Sequence, residues 1–186
     1  MISGETIKRV LYSVIEEIGK ENIQTSITSN IESSQEYIDT IISRCITNLI
    51  HESIDDDIII VSLFEALLHF MLTVCTLPSE RKIQVKNALT IDVVIPNLHS
   101  LRINPDRSII VQFIRDKSDL YKTAQLESLQ PSTKNIWLIS TKPLLTSKYT
   151  EYSLSSNASS HRFSNIIVDV SRFLTETEDK SFRIIP

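Results

Sequence analysis

The hydrophobic period of the chain changes at Pro78 from helical to strand-like, and that change limits the fold more than any motif does. Before it, apolar residues recur at helical three-four spacing. From Ile7 the positions Val10, Leu11, Val14, Ile15 and Ile18 form one stripe opposite Lys8, Glu16 and Glu17, which predicts an amphipathic helix ending near Gly19. A polar connector of Ser, Thr and Asn follows. Ser33 and Glu36 then have the spacing of a capping box at the start of a second helix over 34–52. Its buried stripe is Tyr37, Ile38, Ile41, Ile42, Cys45, Ile46, Leu49 and Ile50, with Asp39 and Arg44 pointing elsewhere. Asp55, Asp56 and Asp57 precede Ile58, where carboxylates suit the positive end of a third helix over 56–77; a triple-Asp metal site is the alternative reading. That helix is apolar almost all round, through Leu63, Phe64, Leu67, Leu68, Phe70, Met71 and Val74. Such a helix belongs at the centre of a fold, covered by the first two helices or by a second subunit.

Beyond Pro78 the pattern is that of strands. Residues 82–86 alternate, with Ile83 and Val85 to one side, while 89–95 and 108–114 are apolar runs rich in Ile and Val. Asn104-Pro105-Asp106 signals a turn between the last two, and Leu101 to Ile103 could form a short extra rung. A helix is expected over 119–130, closed by Pro131, then a buried strand over 135–141. The Ser-, Thr-, Asn- and Tyr-rich segment 143–164 has no sustained period and reads as a long surface loop. A final strand over 166–170, a short turn to Leu174 and a charged tail after Thr175 complete the chain.

At 186 residues the chain fits one α/β domain, or one such domain carrying a helical extension. The expected division is an N-terminal helical extension over 1–55, an α/β core over 56–175 and a tail over 176–186. Gly4 and Gly19 are the two glycines, and neither sits between a strand and a helix, which excludes a phosphate-cradling glycine loop. A formal charge of −4 removes the general argument for a phosphate binder and leaves room only for a local basic groove. Cys45 and Cys75 fall on apolar helical stretches and read as buried thiols. No basic segment followed by an apolar one opens the chain, and no apolar run approaches the ~20 residues of a membrane span. The expectation is a cytoplasmic protein, or a nuclear one in a eukaryote, with no membrane partner.

Two runs carry a family resemblance: Leu89-Thr90-Ile91-Asp92-Val93-Val94-Ile95-Pro96 and Ser108-Ile109-Ile110-Val111-Gln112-Phe113-Ile114-Arg115-Asp116. With the helix around Tyr121 to Leu126 and the strand over 135–141, the chain from about 56 to 172 resembles the core of the restriction-endonuclease-like superfamily, the PD-(D/E)XK nucleases. In active members, an Asp on the second strand and a Glu-x-Lys on the third meet where the strands diverge. The carboxylates hold Mg²⁺ and the lysine positions the attacking water. The resemblance places Asp92 at the Asp, Gln112 at the Glu and Ile114 at the Lys, so two signature residues have departed.

Replacements are available nearby. Lys122, on the following helix, could reach back as a relocated lysine, and Glu65 could stand where the family places an extra acidic ligand. Arg115 should face away from Asp92 by strand alternation unless the strand bulges, and Asp116 should cap the next turn. Glu65 and His69 are also spaced as a metal pair. Gln125 matches a helix glutamine of exonuclease-like branches. The candidate catalytic residues are therefore Asp92, Gln112 and Lys122, and the candidate metal ligands Asp92 and Glu65.

The resulting expectation is a non-catalytic restriction-endonuclease-like domain, acting as a nucleic-acid-associated or protein-interaction module and needing no cofactor. The alternative is a Mg²⁺-dependent DNA or RNA nuclease with an altered site, and a second alternative is an unrelated α/β interaction protein. The amphipathic first helix and apolar third helix predict a homodimer, since both need cover.

Overall fold

Helices open the chain in the computed structural model, which describes residues 4–51, 57–85, 89–144, 146–154 and 161–182. They are α1 (Gly4–Ile18), α2 (Lys20–Ser29), α3 (Ser33–His51) and α4 (Asp57–Val74). The connector expected after Gly19 is helical: Ile23 and Ile27 lie one turn apart and both are buried, which is enough to dock a short helix with few other apolar residues. Gly19 makes the break between α1 and α2 at φ 92, a left-handed conformation that favours glycine. No Ser33–Glu36 capping box forms. The Ser33 N–H donates to the Asn30 carbonyl at 3.1 Å, and its hydroxyl donates to the carbonyls of Ser26 and Asn30. Asp55 and Asp56 lie outside the described residues, whereas Asp57 pairs with Lys142 at 3.0 Å.

α4 is the central helix. Val61, Leu63, Phe64, Leu67, Leu68, Phe70, Met71, Leu72 and Val74 are all buried. Its 18 residues are long and apolar enough to cross a membrane by length and composition alone, but 50% of that window is buried inside the fold. The apolar stripe of α1 (Ile7, Val10, Leu11, Val14, Ile15) packs into the same cluster.

Among the described residues the sheet has six strands in sequence order: β1 (Glu80–Gln84), β2 (Thr90–Ile95), β3 (Ile109–Phe113), β4 (Ile136–Ile139), β5 (Thr150–Ser153) and β6 (His161–Arg162). β1, β2 and β3 pair antiparallel, whereas β3, β4, β5 and β6 pair parallel. Helix α5 (Leu98–Ile103) stands where an extra rung was expected, because the Asn97 side chain accepts from the Ser100 N–H and starts a helix. Helix α6 (Lys117–Leu126) makes the crossover between the parallel strands β3 and β4.

Two further expectations are corrected. The segment 143–164 is not a plain surface loop: it contains β5, whose Glu151, Tyr152 and Ser153 are buried. The expected strand over 166–170 is the start of helix α7 (Ile166–Phe182), which buries Ile166, Ile167 and Val170 at helical spacing. On one sheet face, Val93, Ile95, Val111, Phe113, Trp137, Ile139 and Tyr152 pack on α1 to α4 and α7. On the other, Ile91, Val94, Ile110, Ile136 and Leu138 meet Leu101 of α5 and Leu126 of α6.

Candidate functional site

Side chains along a strand should alternate between faces, but Ile91 and Val93 pack into opposite clusters although they are two residues apart. The alternation slips at Asp92. Here the β2–β3 pairing stops, its last partners being Val93 and Val111. On the other edge, Lys82 faces Asp92 between the partners Arg81–Val93 and Ile83–Ile91, and its own backbone is left-handed at φ 51. Asp92 therefore sits in a notch where β2 and β3 part, only 4% exposed.

The notch is satisfied by charge and by main chain. The Phe113 N–H donates to Asp92 Oδ2 at 2.9 Å, so the carboxylate supplies an acceptor where the diverging ladder offers none. The Asp92 N–H donates to Gln112 Oε1 at 3.3 Å. Lys82 Nζ lies 2.7 Å from Asp92 Oδ1 and 2.7 Å from Glu65 Oε1, bridging β1, β2 and α4. Arg115 Nη2 is 2.5 Å from Glu65 Oε2 and its Nη1 is 3.7 Å from Asp92 Oδ2, while Arg81 Nη2 is 3.6 Å from Glu65 Oε1. Burial works to raise the Glu65 carboxyl, but the Lys82 and Arg115 cations outweigh it and hold it below its ordinary 4.5. Burial likewise opposes the Lys82 charge, and Asp92 and Glu65 outweigh that too, keeping the ammonium above its ordinary 10.5.

Of the residues picked out by sequence, Asp92, Gln112 and Glu65 meet in this notch. Lys122 does not join them: its Nζ bonds Asp119 Oδ1 at 3.2 Å on its own helix. Ile114 is buried on the opposite sheet face. Arg115, expected to face away, turns toward Asp92 because β3 ends at Phe113 and strand alternation no longer governs the next residues. Asp116 caps α6 as expected, accepting from the N–H groups of Ser118 and Asp119. His69 is exposed and Glu65 turns to cations instead. Lys82 and Arg81 escaped the sequence reading. The available signal was that a β1–β2 hairpin could set a basic pair across from the one acidic residue of β2. Among the described residues, no three His, Cys, Asp or Glu side chains gather as a metal-binding group.

No family model matches the chain, and comparison with curated proteins finds no match. Solved structures do match in shape. A complex of the restriction endonuclease PspGI with substrate DNA superposes with a TM-score of 0.62 over 91% of this chain and 93% of the other, at 11% identity. Metal-depleted Ecl18kI bound to uncleaved, modified DNA superposes with a TM-score of 0.58 over 95% and 80%, at 9% identity. The fold is restriction-endonuclease-like. Within this restriction-endonuclease-like fold, the antiparallel β1–β3 meander joined to parallel β4 and β5 creates the notch, and Asp92 and Glu65 stand in it.

Proposed function

We propose that the chain is a restriction-endonuclease-like domain that binds nucleic acid through its phosphates and does not cut it. The observation that carries this reading is the charge in the notch. Glu65 and Asp92 are met by Lys82, Arg81 and Arg115, all within 3.7 Å, and Arg115 also reaches Asp119 at 3.9 Å, so every carboxylate of the notch is already neutralised by a cation. A Mg²⁺-dependent site needs the reverse: several free oxygen ligands and a net negative charge. A notch whose carboxylates are already neutralised, with Lys117 and Lys142 in the cleft beside Arg115, suits a phosphate oxygen better than a metal ion.

Arg115 also lines a cleft of about 250 Å³ that holds Lys117 and Lys142 at the ends of β3 and β4 together with Asp116 and Asp57, the latter paired with Lys142 at 3.0 Å. Tyr121, 78% exposed, stands one turn from Lys117 on α6, where a base could stack. The two restriction enzymes of similar fold are both bound to DNA, which favours nucleic acid as the partner class. With a chain charge of −4 the attraction is local and salt-sensitive.

Fluorescence anisotropy with labelled duplex and single-stranded DNA and RNA tests the reading. Binding at low salt should weaken steeply as salt rises, and weaken further when Lys117 and Lys142 are changed together to Ala. The same oligonucleotides should stay intact with millimolar Mg²⁺ or Mn²⁺. No binding at low salt would remove the proposal. The second reading, a nuclease whose lysine comes from β1, is favoured by Lys82 Nζ lying 2.7 Å from Asp92. Cleavage that is lost in both Asp92→Ala and Lys82→Ala would establish it.

A further inference from the structure

We infer that Lys82 is the resident cation of the notch: its ammonium occupies the position between Glu65 and Asp92 that a divalent metal would take, so the folded chain excludes metal there. The inference deepens the non-cleaving role proposed above and rests on it. Glu65 Oε1 and Asp92 Oδ1 are each 2.7 Å from one nitrogen, so both aim at a single small cation. Metal–oxygen distances of about 2.0–2.6 Å would need that same space.

The outer oxygens are engaged as well. Glu65 Oε2 is taken by Arg115, and Asp92 Oδ2 by the Phe113 N–H with Arg115 beyond it. All four carboxylate oxygens thus have partners fixed to the fold, and Gln112 Oε1, the remaining neutral donor, accepts from the Asp92 N–H. An incoming ion would have to displace a tethered lysine and share the notch with two arginines. The left-handed backbone of Lys82 supports the assignment. A lysine rarely adopts φ 51, and this one does so where it points the ammonium into the notch.

The test is a Mn²⁺ titration of the full chain, following the free-ion electron paramagnetic resonance signal and the melting temperature together. Wild type should show no saturable binding and no Mn²⁺-dependent rise in melting temperature. Lys82→Gly removes the cation and suits the left-handed backbone, so it should fold and gain one Mn²⁺ site at least about tenfold tighter than any wild-type binding. Its melting temperature should rise with Mn²⁺. Lys82→Met, which keeps an apolar stem, should behave alike.

Saturable Mn²⁺ binding by wild type that disappears in Asp92→Ala overturns the inference, as does a folded Lys82→Gly that gains no affinity. These outcomes are separate from the nucleic-acid test. Mn²⁺ binding without cleavage removes the resident cation and leaves the phosphate-binding role, whereas metal exclusion without nucleic-acid binding does the opposite.

Discussion

Asp92 shows how one buried carboxylate is tolerated in an apolar strand. Burying an unpaired charge costs several kcal/mol, so such a residue must be paired and hydrogen-bonded. Here Lys82 and the Phe113 N–H meet that need. Asp92→Ala should therefore destabilise the fold by about 3 kcal/mol in urea unfolding, because it leaves the Phe113 N–H without its acceptor and Lys82 without one partner. Asp92→Asn, which keeps an acceptor oxygen, should cost less; equal losses would mean that the hydrogen bond to Phe113 carries nothing.

The Glu65–Lys82 pair also fixes a pH window. Glu65 lies below its ordinary value when folded, so its contribution is present above about pH 4.5 and fades as pH falls through the folded value. Lys82 lies above its ordinary value, so its contribution is full below about pH 10.5 and is lost as pH rises through the folded value. Stability should plateau between these limits. In Glu65→Gln the acid-side loss should be shallower than in wild type, and identical acid limbs in the two proteins would contradict the assignment. At this scale the sequence exposed Asp92 as an acid in an apolar run, but not its partners. The step that matters is a slip in strand alternation and a left-handed residue at 82, and neither leaves a mark in hydrophobic period.

Elements were legible where many apolar residues repeat, as in α1, α3 and α4, and where β-branched runs are interior, as in β2 to β4. They were lost where few anchors decide. Ile23 and Ile27 suffice for α2, and one Asn cap starts α5. β5 is polar by composition, yet Glu151 is buried because its carboxylate accepts from the N–H groups of Leu144 and Thr146. α7 begins with Ile166, Ile167 and Val168, β-branched residues whose strand preference is overridden by packing on the sheet face.

The end of α4 stores backbone strain that a substitution can relieve. Thr76 is left-handed at φ 54, the Leu77 N–H donates to the Leu72 carbonyl at 2.9 Å and the Thr76 N–H to that of Thr73 at 3.1 Å. This is a Schellman termination with a β-branched residue where glycine is preferred. Thr76→Gly should raise stability by about 1 kcal/mol in thermal or urea unfolding. A loss would mean that the Thr76 side chain makes a contact worth more than the strain.

Across the whole molecule, one apolar cluster runs from α1 through α4 and the sheet to α7, so the N-terminal helices share the core of the restriction-endonuclease-like sheet. That continuity ties the notch to the rest of the fold, because Glu65 comes from the central helix while Lys82, Asp92 and Arg115 come from or adjoin three neighbouring strands. On the inference above, these cations close an acidic notch that would otherwise take a metal. Anomalous scattering from a crystal of the full chain grown with Mn²⁺ would show which cation the notch holds. The Lys82 ammonium should lie between Glu65 and Asp92 with no anomalous peak there; a Mn²⁺ peak bridging the two carboxylates, with Lys82 displaced, would refute metal exclusion.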